Sequence, residues 1–310
     1  MRFYIVDVFT EQTFGGNPAG IVILPENGNY PAEDMMIKVA GELRYSETVF
    51  VQRLESNRLG FRYFTPTEEV DLCGHGTLGA FYALRDEGMI GDNCTYIAET
   101  AAGDLNVDLK DRMVMMDMAT PESIKIIQDN KDIRELYKVM GIGGNSPRVS
   151  LEGEWDLYPE IISTGLPDII LPVENKETLK KIKPDYRTLS VLSKKYGVVG
   201  VHAFTLGEGL IGNTCCQGAC DQSQATAYCR NFAPSVGIDE EAATGTANGA
   251  LTYYLYKNSL IDAGSGCRFI QGESMGRPSV ILGTIDNGAF DVIIRIGGTC
   301  AILARGEIDI

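Results

Sequence analysis

The sequence predicts an α+β protein. Short strand-like runs recur along the chain with few helical patterns among them, Gly- and Pro-marked turns separate those runs, and no sustained strand–helix alternation points to a doubly wound parallel sheet. Length adds that 310 residues is long for one domain and favours two.

The opening run Met1–Phe9 reads as a strand. Asp7 interrupts anything resembling the apolar core of a secretion signal, so the N-terminus is expected to be mature as it stands. Phe14-Gly15-Gly16-Asn17-Pro18-Ala19-Gly20 is a turn-rich loop that either connects or lines a site, and it leads into the strand Ile21–Leu24. Pro31 opens a helix through Met36, Val39 and Leu43. Ser46–Gln52 reads as a strand in which period two puts Glu47 on the face of Val49 and Val51. A carboxyl held among apolar groups is suited to accept and return a proton, although Glu47 can equally sit at the strand's exposed start. Leu59–Phe64 is a further strand, and Thr65–Glu69 is a polar connection.

The stretch Asp71–Ala80 places Cys73, His75 and three glycines at the mouth of a helix. Leu78, Phe81, Tyr82 and Leu84 recur at helical spacing and Gly88 follows, predicting a helix over Gly76–Glu87. Its first amides lack partners and point with the positive end of the peptide dipoles, which suits a carboxylate. Thr244-Gly245-Thr246-Ala247-Asn248 partly echoes Cys73–Thr77 and again precedes an apolar run, Ala250–Tyr256. The echo fits a pseudo-twofold protein, and it also fits two ordinary helix starts.

Strands are expected near Thr95–Ala98, Leu105–Leu109 and Met113–Met118, and the pattern then breaks at Ala119-Thr120-Pro121-Glu122. That break divides residues 1–119 from 120–310, with the last strand free to return to the first domain. Beyond it come an amphipathic helix at Ile133–Met140, strands at Trp155–Ser163, Ile169–Leu171 and Val198–Leu206, and helical segments at Lys176–Ile182 and Thr188–Lys195. Strands return at Ala225–Asn231, Phe269–Gln271, Val280–Ile285 and Val292–Ile296, with turns at Gly272, Gly276-Arg277-Pro278 and Asn287-Gly288. Cys215, Cys216, Cys220 and Cys229 fit structural zinc spacing poorly, and no metal is expected there.

The formal charge of −15 disfavours nucleic acid and anionic membrane as partners, so an acidic substrate would need local attraction from helix amides and His75. No apolar run approaches a membrane span, and eight cysteines without a secretion signal fit reduced thiols, so a soluble cytoplasmic protein is expected. Neither Gly-rich turn has the three-glycine spacing of a dinucleotide site.

Taken together, Phe14–Gly20, Ser46-Glu47-Thr48, Cys73–Leu78, Ser163-Thr164-Gly165-Leu166-Pro167, Arg230-Asn231-Phe232-Ala233-Pro234, Ala243–Ala247, Gln271-Gly272 and Gly276-Arg277-Pro278-Ser279 resemble the PhzF-like phenazine-biosynthesis isomerases. These belong to the diaminopimelate epimerase and proline racemase superfamily. The resemblance implies two similar domains, each a strongly curved, mainly antiparallel sheet around a central helix, with the active site in a cleft between them. It further implies a cofactor-independent isomerase, a homodimer, and a small carboxylic acid as substrate, with no metal. Glu47 matches the family's general acid/base and His75 its substrate-contacting histidine. Asn17, Ser46, Gly74, Gly76, Glu241, Gly245 and Thr246 are carried over as substrate-binding positions. The family usually has Asp-Pro ahead of the second turn and Ser within it, whereas this chain has Glu241-Ala242 and Thr246.

On this reading Glu47 removes a proton from a carbon made acidic by a neighbouring unsaturated acid and returns it to another carbon on the same face. His75 would serve as a neutral hydrogen-bond donor. Amino-acid racemases of the superfamily use two thiols. Here the second position is Thr244, so two-thiol racemisation is disfavoured and Cys73 is read as a small packed residue. The alternatives are an epimerase or racemase using unusual bases, and a non-catalytic small-acid binding protein.

Overall fold

The computed structural model describes residues 1–26, 28–143, 149–151, 155–208, 210, 224–288 and 291–310. The chain divides into two compact units, one of Met1–Asp117 with Arg277–Ser279 and Gly297–Ile310, the other of Met118–Gly276 with Val280–Ile296.

In the first unit the strand Arg2–Val8 lies antiparallel to both Asn17–Ile23 and the late strand Cys300–Glu307. Asn17–Ile23 runs parallel to Thr48–Arg53, which turns back antiparallel into Arg58–Phe64. Arg58–Phe64 takes the two-residue strand Glu69–Val70 on part of its length and runs parallel to Cys94–Thr100. The antiparallel strands Gly103–Lys110 and Met113–Asp117 follow.

The helix Gly74–Asp86 is buried without a break from His75 to Leu84. A helix buried on every side needs apolar cover all round, and this one touches Arg2–Val8, Asn17–Ile23, Thr48–Arg53, Met113–Asp117 and Cys300–Glu307. The sheet is therefore curved about it. Close approach is set by Gly76, where an added Cβ would come within 2.5 Å of Val49 Cγ2. A smaller apolar cluster forms where the outer helix Glu33–Leu43 lays Met36, Val39 and Ala40 on Val22, Phe50 and Phe64.

The second unit joins Glu122–Ile126, Glu160–Ser163 and Pro167–Pro172 antiparallel. Pro167–Pro172 then runs parallel to Gly200–Leu206. A parallel step needs a crossover, and the helices Lys176–Lys181 and Tyr186–Tyr196 provide it. Leu179, Leu189 and Leu192 of these helices, with Ile133 and Leu136 of the helix Asn130–Val139, pack on Ile161, Ile169, Val201 and Phe232 of the sheet. Gly200–Leu206 pairs antiparallel with Ala227–Ala233, which takes Ile238–Glu241 antiparallel and Gly266–Gln271 parallel. Arg230 closes this layer by donating to the Leu179 and Ile182 carbonyls and to the Glu240 carboxylate. The helix Gly245–Lys257 is this unit's buried helix, with Ala247–Thr252, Tyr254 and Leu255 covered. It packs on Glu160–Ser163 and Pro167–Pro172.

Several boundaries differ from expectation. Glu47 lies outside the strand, which begins at Thr48, so the period-two argument for its face does not hold. The expected strand Trp155–Ser163 is two, Trp155–Leu157 and Glu160–Ser163, separated by Tyr158-Pro159. Proline has no N–H for the ladder. The central helix starts two residues earlier than its apolar spacing indicates, because Cys73 caps it. The Cys215, Cys216 and Cys220 positions lie outside the described residues, and Cys229 is a buried strand thiol that burial pushes well above its ordinary pKa. Among the described residues no helix is long and apolar enough to cross a membrane.

Candidate active site

Cys73 leaves the sheet in an extended conformation and becomes the N-cap of the central helix, its sulfur accepting from the Gly76 amide at 3.3 Å. The Thr77 hydroxyl donates to the Cys73 carbonyl at 2.8 Å and meets the Tyr63 hydroxyl at 2.6 Å. The first turn is thus fixed from both sides. Gly76 is consequently not the open donor expected of it, and the Gly74 and His75 amides are the ones left ahead of the first intrahelical bonds.

His75 is 6% exposed and stands between two groups. Its Nδ1 is 3.5 Å from Cys73 Sγ, and its Nε2 is 3.5 Å from Glu47 Oε2. Glu47 is held by its own backbone, whose carbonyl accepts from the Gly20 amide at 3.2 Å. Its side chain is 18% exposed, yet Oε2 is buried and, like His75 Nε2, makes no hydrogen bond. Such atoms are costly to leave unsatisfied. Glu47, Cys73 and His75 each offer a donor atom within 4.8 Å of the others.

The loop before the second strand is clamped by Asp7 and Arg277, two residues whose pairing the sequence did not show. Asp7, fully buried, accepts from the Phe14 amide at 2.8 Å and from Arg277 Nη2 at 2.6 Å. Arg277 also donates to the carbonyls of Gly15 and Gly16. The available signals were a charge inside an apolar strand and an arginine inside a turn motif. Asn17 is buried at the start of its strand, opposite Val8. Ser46 is partly buried in the bend that precedes Glu47.

In the second unit Thr244 takes the place that Cys73 has in the first, with an extended backbone and no side-chain cap. Its hydroxyl donates instead to Glu241 Oε2 at 2.5 Å. Gln271 bridges the turn, accepting from the Thr244 amide and donating to the Glu241 carbonyl. Asn248 Nδ2 reaches both the Thr244 carbonyl and Gln271 Oε1 at 2.9 Å. Thr164 donates to the Thr246 carbonyl at 2.9 Å, and the amides of Gly245 and Thr246 begin the helix.

Two buried ionisable residues of this unit gave no sequence signal. His202 Nδ1 lies 3.2 Å from Asn231 Oδ1, and burial pulls its pKa down to about 4. Asp168 sits in the adjacent strand, and burial pushes its carboxyl up to about 7 against a hydrogen bond from Gly200.

A mostly antiparallel sheet about a buried helix, found in each of the two units, is the α+β architecture of the diaminopimelate epimerase-like fold. The phenazine biosynthesis-like protein family, PhzC-PhzF, matches residues 6–306, and the chain belongs to it. An "uncharacterized isomerase" of Clostridium acetobutylicum is 30% identical over 99% of this chain and 97% of its own length. The trans-2,3-dihydro-3-hydroxyanthranilate isomerase of Pseudomonas chlororaphis is 27% identical over 99% of each. The crystal structure of the Bacillus anthracis PhzF-family protein superposes with a TM-score of 0.82 at 26% identity, covering 100% of this chain and 99% of that one. A hydroxyproline epimerase from Agrobacterium vitis shares the fold alone, with a TM-score of 0.60 at 13% identity, covering 99% of this chain and 90% of that one. The chain is an enzyme of the isomerase class.

Proposed function

We propose that the protein moves a proton within a small, cyclic or amino, carboxylic acid, with Glu47 as the single acid/base and no cofactor. The observation that carries this is the buried, unpartnered Glu47 Oε2 facing His75 Nε2 at 3.5 Å. A carboxylate so placed takes the proton from a substrate C–H, and the bonding electron pair spreads into the conjugated acid. Glu47, its carboxyl proton open to exchange with solvent, then delivers a proton to another carbon of that system, so nothing is oxidised and no group leaves. His75 donates to the developing negative charge, and the Gly74 and His75 amides receive the substrate carboxylate. Asn17 and Ser46 in this unit, and Glu241, Gly245 and Thr246 in the other, are assigned to substrate contacts by family resemblance. The relative from Pseudomonas chlororaphis is named for an isomerisation of a cyclic dihydro acid, which supports this substrate class. The reading carries with it a homodimer without nucleic-acid or membrane partners, located in the cytoplasm.

The test is a panel of cyclic and amino acids in heavy water read by NMR, with folded Glu47→Gln as control. Deuterium entering a ring or vinylic carbon only when Glu47 is present supports the proposal. Turnover by Glu47→Gln at the normal rate ends it. One contact favours a second reading, in which Cys73, 3.5 Å from His75 Nδ1, acts as an epimerase base. Exchange at an amino-acid α-carbon with loss of optical activity, abolished by Cys73→Ser, would support that instead. Ligand protection without any exchange across the panel would indicate a binding protein.

A further inference from the structure

We propose that Glu47, Cys73 and His75 form a site for a divalent zinc-like cation, which on binding occupies the acid/base carboxyl and so silences it. The three side chains supply one oxygen, one sulfur and one nitrogen, a donor set that Zn²⁺ takes in tetrahedral centres. Each has a donor atom within 4.8 Å of the others. The imidazole lies between the other two donors, with sulfur 3.5 Å from Nδ1 and carboxylate oxygen 3.5 Å from Nε2. The imidazole meets its neighbours through different nitrogens, so closing on one cation requires a side chain of the three to turn until sulfur and oxygen share a single ring nitrogen.

An independent observation points to a ligand. Glu47 Oε2 and His75 Nε2 are buried polar atoms without hydrogen-bond partners, and His75 as a whole is 6% exposed. Both are lone-pair atoms in the form of the site that receives a cation. The Gly76 amide already donates to Cys73 Sγ, which fixes the sulfur at the helix start. On binding, the Cys73 S–H proton passes to solvent and the metal–sulfur bond replaces it. Three protein donors leave a fourth position for water or an acid ligand. A chain of formal charge −15 draws cations toward it.

The inference goes beyond the isomerase reading and is read without turnover, so its failure leaves that reading standing. The experiment titrates Co²⁺ into the full-length, chelator-treated, reduced protein and follows the near-ultraviolet thiolate-to-cobalt band and the visible bands of a tetrahedral ion. The expected result is one equivalent bound, loss of the thiolate band in Cys73→Ser, and affinity lowered by at least about tenfold in Glu47→Gln and in His75→Asn. Serine is itself a good N-cap, so Cys73→Ser keeps the helix start; should it fail to fold, the Glu47→Gln titration decides alone. The triple variant Cys215→Ser, Cys216→Ser, Cys220→Ser is expected to keep the band. Absence of any tetrahedral cobalt spectrum, a band that survives Cys73→Ser, unchanged affinity in Glu47→Gln, or loss of the band in the triple variant overturns the proposal.

Discussion

His75 Nε2 stands 3.5 Å from Glu47 Oε2, and neither atom makes a hydrogen bond. Atoms so placed do not stabilise the fold, and they are open to a ligand that satisfies them. Glu47→Gln is therefore expected to lower substrate proton exchange by roughly 10²–10⁴-fold while leaving the thermal midpoint nearly unchanged. NMR exchange rates and a melting curve on the same sample check both halves.

Gly76→Ala tests the packing of the central helix. Alanine is the better helix former on an exposed surface, but here its Cβ would meet Val49 Cγ2 at 2.5 Å. Overpacking of this kind costs about 1–3 kcal/mol. Denaturant titration should show a lower midpoint, and an unchanged or higher one would contradict the contact.

Arg277→Ala takes from the fully buried Asp7 carboxylate its charged partner and leaves it the Phe14 amide. Removing one partner of a buried ion pair costs about 3 kcal/mol or more. Arg277 is 29% exposed, so the lower end applies. The double variant with Asp7→Asn should recover part of the loss, measured as a non-additive unfolding free energy.

The second unit carries two opposing pH dependences. His202 falls from 6.5 to about 4 on folding, so between those values the unfolded chain binds the extra proton and stability rises with pH. Its contribution is complete above about 6.5 and is lost as pH falls toward about 4. Asp168 rises from 3.8 to about 7, so the folded chain binds the extra proton and stability falls as pH rises through that window. Asp168→Asn should therefore unmask a rise in stability from pH 4 to 6.5 of about 3 kcal/mol. His202→Gln should unmask a fall over the same range, and unfolding curves at several pH values separate the two.

The central helix was legible because Leu78, Phe81, Tyr82 and Leu84 fall at helical spacing and Gly88, at φ 68°, follows its end. The α+β class was legible for a similar reason, since strand patterns and turn residues are local. The strands Glu69–Val70 and Ile238–Glu241 were not, because both are short and acidic and owe their form to a partner strand. Cys300–Glu307 escaped individual notice because its pairing with Arg2–Val8 spans almost the whole sequence. At the site, Cys73, His75 and Glu47 stood out by chemistry, but what Glu47 faces depends on a bend outside any strand. Asp7 showed as a charge inside an apolar strand, whereas Asp168 and His202 become noteworthy only through burial, which is tertiary and has no signature in neighbouring residues.

The pairing of Arg2–Val8 with Cys300–Glu307 also sets an order of events during synthesis. A ribosome delivers the first strand early and its second neighbour almost three hundred residues later. The edge of Arg2–Val8 that faces Cys300–Glu307 stays open until that later strand has been made. The other unit, contained between residues 118 and 296, has all its strands before Cys300–Glu307 is made.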